Sequence, residues 1–166
     1  MPLFKKVLYP TDFSELAEVS KNYVFKLKEA GAEEVVLLHV IHPLEFSLPQ
    51  FDDPFALDVA TIYAHIPEIE KEILKRHEQM MEEIEKELEE RGFKVDKVLV
   101  VGDPKEEIVR VAEEKNVSVI VIGYHGKGLL ERILEMGSTA KAVIRKAECP
   151  VLVVKKNLKG SEDGQD

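Results

Sequence analysis

The chain has 166 residues, 45% of them hydrophobic, enough to bury one sizeable core, and no shift in composition marks a second domain. With 32 acidic against 23 basic residues the formal charge is -9, and no basic stripe with interleaved aromatics overrides it, which excludes nucleic acid as the partner. No apolar run approaches the roughly 18 residues of a bilayer span, none at the start has the length of a leader, and Cys149, alone, can form neither an internal disulfide nor a thiolate metal cluster within one subunit; a cytoplasmic protein with no membrane partner is expected.

In chain order, the first predicted strand covers Lys6 to Pro10 and ends in the polar turn Thr11-Asp12. A helix follows: Ser14 and Glu15 give a start signal, Leu16, Ser20, Tyr23, Leu27 and Ala30 recur at helical spacing, and Gly31 stands where a left-handed cap is needed. Val35 to Ile41 is the second strand. The stretch from His42 to about His65, with Pro43, Phe46, Pro49, Phe51, Pro54 and Phe55, exceeds an ordinary connection. It is read as irregular, with a short helical turn near Phe55 to Tyr63, folded over a pocket mouth or against another subunit. A long helix from about Pro67 to Arg91 carries the stripe Ile69, Ile73, His77, Met80, Ile84 and Leu88, and Gly92 ends it.

Lys94 to Val101 is the third strand, Lys105 to Lys115 a helix with Ile108, Val111 and Ala112 inward, and Val117 to Ile122 a fourth strand apolar on both faces. Ser138 to Lys146 is the last helix, carrying Ala140, Val143, Ile144 and Ala147, and Val151 to Val154 the last strand. One domain over residues 1–157 and a solvated, disordered tail over 158–166 are expected. Five strands with helical crossovers predict an α/β fold, an open parallel sheet of Rossmann-like type with helices on both faces. Because ligands on such sheets bind where the winding reverses, the two strands with polar or glycine-rich ends should be neighbours, which gives the order 3-2-1-4-5.

The stretch from Gly123 to Ser138 carries the chemistry. A strand runs into Gly123, then Gly126, then Gly137-Ser138 opening a helix. Glycine backbone approaches an anion without obstruction, and the free N–H groups of a tight turn and a helix start point at negative charge. Beside the polar end of the first strand this would make one nucleotide pocket. A dinucleotide fingerprint is excluded, since Glu131 stands where Gly126-Lys127-Gly128 would need its third glycine, and no Gly-Lys-Ser/Thr exists for a P-loop. Within the turn, His125 is read as touching phosphate or facing solvent, and Lys127 and Arg132 as neutralising phosphate or being solvated. Asp12 could serve only to brace its own turn. His39 and His42 point to opposite faces of a strand, which leaves both structural, and His77 belongs to an apolar stripe.

Taken together, Leu8-Tyr9-Pro10-Thr11-Asp12-Phe13-Ser14, Val36-Leu37-Leu38-His39-Val40, Val101-Gly102-Asp103-Pro104, Gly123-Tyr124-His125-Gly126, Gly137-Ser138-Thr139 and Cys149-Pro150-Val151-Leu152-Val153-Val154 resemble the universal stress protein family, in particular its ATP-binding, single-domain archaeal members. The resemblance implies that Pro10, Thr11 and Asp12 line the adenosine side, with Asp12 near the ribose or a phosphate-bound Mg or Mn. It implies that the Val40 backbone meets adenine, that Ile122 packs on the nucleoside, and that Gly123, Gly126, Gly137, Ser138 and Thr139 receive the phosphates. It also implies a homodimer through Val151, Leu152, Val153 and Val154. The chain departs from the family in two places: ten residues separate Gly126 from Gly137, one more than the family's pattern, and Tyr124 replaces a small hydroxyl residue. The expected function is a stress-response switch that binds ATP, or ADP or AMP, and acts on a protein client. The alternatives are a slow metal-dependent ATPase and a dimeric interaction module without nucleotide.

Overall fold

The computed structural model describes residues 3–43, 46, 59–125 and 134–156, the side chains of residues 125, 134–137 and 156 excepted. Among these residues, strands β1 (Lys6–Pro10), β2 (Glu34–Ile41), β3 (Lys94–Val101), β4 (Val119–His125) and β5 (Val151–Lys156) form one sheet. All its pairings are parallel, in the order β3-β2-β1-β4-β5 that the sequence predicts.

Side chains alternate across a strand, and the core divides accordingly. Val7, Tyr9, Val35, Leu37, Val119 and Val121 meet helices α1 (Glu15–Leu27) and α3 (Glu68–Glu90) on one face. Leu8, Val36, Leu38, Val40, Ile120 and Ile122 meet α4 (Pro104–Glu114) and α5 (Leu134–Lys146) on the other. A third cluster forms over the ends of β2 and β3, where Phe46, Ile62 of the short helix α2 (Val59–His65) and Leu74 of α3 cover Ile41 and Val101. Of the short helical turn expected near Phe55 to Tyr63, residues 55–58 lie outside the described residues, and the described part, from Val59 on, belongs to α2, which runs to His65.

Local chemistry sets the helix ends. The Ser14 hydroxyl accepts the Ala17 amide at the start of α1, and Asp103 accepts the Lys105 amide at the start of α4, with Pro104 in the first turn. After α1 a 3₁₀ turn, Lys28–Ala30, leads to Gly31 at φ 101°, a conformation that glycine alone adopts without strain.

Three expectations fail for physical reasons. In α3 the stripe does not include Ile69 and Ile73, 75% and 46% exposed; Ile84 and Leu88 are buried as expected, and Leu74 and Met81 are buried with them. Two successive steps of four residues drift about 40° each around a helix, whereas alternating steps of three and four stay on one face. In α1, Tyr23 is 47% exposed and Val24, one residue on, is buried with Leu16 and Ser20; in α5, Ile144 is exposed while Ala140 and Val143 are buried.

The other two concern the glycine region. Strand β4 does not stop at Ile122: Gly123, Tyr124 and His125 pair with Val154, Lys155 and Lys156 of β5. Helix α5 has already formed by Leu134, so Gly137-Ser138 lies inside it and does not open it. A glycine within a helix costs only about 1 kcal/mol against alanine, too little to delay a start that Leu134, Glu135 and Met136 favour. Gly126 and the tail 158–166 lie outside the described residues.

Candidate functional site

Strand β1 pairs with β2 as far as Pro10, opposite Leu38, but with β4 only at Val7 and Leu8, opposite Val119 and Ile120. Beyond those residues β1 and β4 part, while β4 stays paired with β5. The parting opens a cleft of about 580 Å³ at the carboxyl ends of the strands, where the winding of the sheet reverses direction.

The loop after β1 forms one side of the cleft and is heavily braced. The Thr11 amide donates to the Leu38 carbonyl at 2.8 Å, and the Phe13 amide to the Thr11 hydroxyl at 3.1 Å. The Ser14 amide donates to Asp12 Oδ1 at 3.0 Å, so Asp12 does hold its own turn while staying exposed. Phe13 has φ 65°, a left-handed conformation that costs a bulky residue about 1–2 kcal/mol. Its ring packs on His39 at 4.5 Å and on His77 at 5.4 Å, contacts that hold it there.

His39 is 4% exposed and its Nδ1 lies 2.8 Å from the Thr11 carbonyl oxygen. Its Nε2 is buried with no hydrogen-bond partner among the described residues. Burial holds its pKa down to about 4, although the bond to Thr11 pulls the other way, so the ring is neutral at ordinary pH. Below the loop, burial pushes the Tyr9 phenol above its usual range, and its hydroxyl donates to the Ala17 carbonyl.

The opposite walls come from β2, β4 and the start of α4. Peptide groups alternate along a strand, and Leu38 turns its carbonyl toward β1, so Val40 turns its N–H and C=O the same way. At that level β1 has ended, and both groups face the cleft. Ile108 and Ile122 supply apolar surface, and Asp103, Pro104 and Lys105 bring one acidic and one basic side chain to the rim. Gly123 makes room for α1: a Cβ there would lie 2.5 Å from Leu16 Cγ.

Of the residues singled out in the sequence, Pro10, Thr11, Asp12, Val40, Ile122, Gly123 and Thr139 line the cleft. Gly137 and Ser138 lie in α5 next to Thr139, and His125 ends β4. Sequence reasoning missed Phe13, Lys105 and Ile108, and it read His39, His42 and His77 as structural although all three reach the cleft. The cap-and-proline pair Asp103-Pro104, just after a strand, was the available signal for the α4 wall.

Residues 3–155 match the model of the universal stress protein family. The chain is 45% identical to universal stress protein MJ0577 of Methanocaldococcus jannaschii over 93% of its own length and 96% of that protein's. Its fold superposes on the solved MJ0577 structure with a TM-score of 0.74, covering 94% of this chain and 99% of that one. Two more distant structures share the fold. One is a universal stress protein from Archaeoglobus fulgidus in complex with dAMP, 21% identical, TM-score 0.57, covering 93% of this chain and 100% of that one. The other is a universal stress protein in complex with cAMP, 20% identical, TM-score 0.59, covering 92% and 97%. The sheet order, the cleft at its reversal point and these matches lead to one conclusion: the chain belongs to the universal stress protein family.

Proposed function

We propose that the cleft binds an adenine nucleotide, ATP or its products ADP and AMP, and that the protein is a nucleotide-dependent switch in a stress response. The observation that carries this is the Val40 peptide: one donor and one acceptor side by side on a strand edge, facing a cleft between the apolar side chains of Ile108 and Ile122. That is the complement of the adenine edge, which offers N1 as acceptor and the 6-amino group as donor. The phosphates would run toward Thr139 and the start of α5, whose leading amides have no partner within the helix. Gly123, Gly126, Gly137, Ser138 and His125 are proposed on that side, and Asp12 on the ribose or on a phosphate-bound Mg or Mn. Among the described residues no cluster of three or more His, Cys, Asp or Glu holds a metal alone, so the cation would arrive with the nucleotide. Adenine nucleotides fit the same fold in the dAMP and cAMP complexes.

The switch would act on a client protein only if the two share a surface that differs between the nucleotide-bound and free states. A homodimer through β5 belongs to the same proposal, because β5 is an edge strand with Val151, Leu152 and Val153 half-buried. Calorimetric titration tests the base assignment: ATP binds at least tenfold more tightly than GTP, whose 6-oxo and N1–H groups invert the pattern at Val40. Equal affinity for the two would overturn it.

A further inference from the structure

We infer that His39 is a positioning residue of the cleft: its side chain takes the Thr11 carbonyl that would otherwise close on the Val40 amide, and so keeps that amide open for the ligand. The inference rests on the nucleotide-binding reading for its consequence, but its geometry stands on the strand register.

In the β1–β2 pair, the Glu34 amide donates to the Lys5 carbonyl and the Thr11 amide to the Leu38 carbonyl. The register advances two residues at a time on each strand, Lys6 opposite Glu34 through Pro10 opposite Leu38. The next bond in this series would run from the Val40 amide to the Thr11 carbonyl. It is not formed. The Thr11 carbonyl lies instead 2.8 Å from His39 Nδ1. A carbonyl only accepts, so Nδ1 must carry the proton, and in the neutral ring Nε2 is then a bare acceptor. The imidazole stands in for a backbone donor: β2 still grips the chain one residue past β1, through a side chain in place of its own amide.

Two features fix the ring in this role. Phe13 lies against it at 4.5 Å, and His77 of α3 meets it edge-on with ring centroids 5.0 Å apart. The ring is only 4% exposed, and its Nε2 has no hydrogen-bond partner among the described residues. The cost of the arrangement is the unmet Nε2, which an unbroken ladder would not require.

The test combines three forms of the full chain: wild type, His39→Leu, and His39→Asn, whose side-chain amide presents an N–H near the position of Nδ1. In nucleotide-free wild type, nitrogen NMR of the imidazole reads the proton on Nδ1, and the Val40 amide exchanges with solvent at least tenfold faster than the Leu38 amide. In His39→Leu the Thr11 carbonyl falls back on Val40, whose exchange slows to that of Leu38, and ATP affinity drops at least tenfold. His39→Asn keeps both within about threefold of wild type. A proton on Nε2, or a wild-type Val40 amide as protected as Leu38, overturns the inference even if a variant fails to fold. Unchanged ATP affinity in a folded His39→Leu overturns it too. A wild type that meets both NMR expectations yet binds no adenine nucleotide leaves the register argument standing and removes the proposed function.

Discussion

At the residue scale, Gly123 and His39 each have a job that their residue type alone does not announce. Gly123 reads as a phosphate glycine, but in the sheet its bare Cα admits Leu16, a fully buried side chain. Gly123→Ala should cost about 1–3 kcal/mol in urea unfolding, the usual range for overpacking a core. A Leu16→Ala change removes the colliding atoms, so the double variant should lose at least 1 kcal/mol less than the sum of the singles; additive losses would show that the collision is not the cause. His39 predicts a pH effect. Its folded pKa of about 4 lies below the usual 6.5, so the unfolded state binds the extra proton between those values and stability falls as pH drops through that window. Between pH 7 and 4.5 the wild type should lose about 2–3 kcal/mol more than His39→Asn. Parallel losses would mean that His39 does not titrate as its burial dictates. Neither role was legible beforehand. A glycine beside a helix and a histidine one residue past the last β1 partner on β2 acquire meaning only when register and packing are known.

Elements marked by chemistry within a few residues were legible: β1 and β3 follow their apolar runs, α1 and α4 their caps, Gly31 its turn. Elements whose limits depend on distant partners were not. Strand β4 continues because β5 supplies bonds as far as Lys156, and α3 presents the face that β2 and β3 can cover. Within α4, Glu107 is 1% exposed and its Oε1 accepts two bonds from Arg110, at 3.0 and 2.6 Å, while Arg110 also reaches Glu114. Arg110→Ala leaves a buried carboxylate without its cation and should cost about 3 kcal/mol. Adding Glu107→Gln should recover more than half of that loss in the same denaturant measurement. A single variant within 0.5 kcal/mol of wild type would show the pair to be dispensable.

At the scale of the whole molecule, the sheet order places the end of β1 beside β4, and their early separation makes the cleft. That much followed from which strands end in polar or glycine-rich turns. The proposed dimer is a property of the outer side of β5: sedimentation should give twice the chain mass, and Leu152→Lys should halve it, whereas a monomeric wild type would remove the dimer. The central claim, an adenine nucleotide in the cleft, is tested most directly by denaturing freshly purified protein and identifying what it releases by chromatography and mass spectrometry. The account predicts near-stoichiometric ATP, ADP or AMP from the wild type. A protein that releases none and also fails to take up added ATP would contradict it.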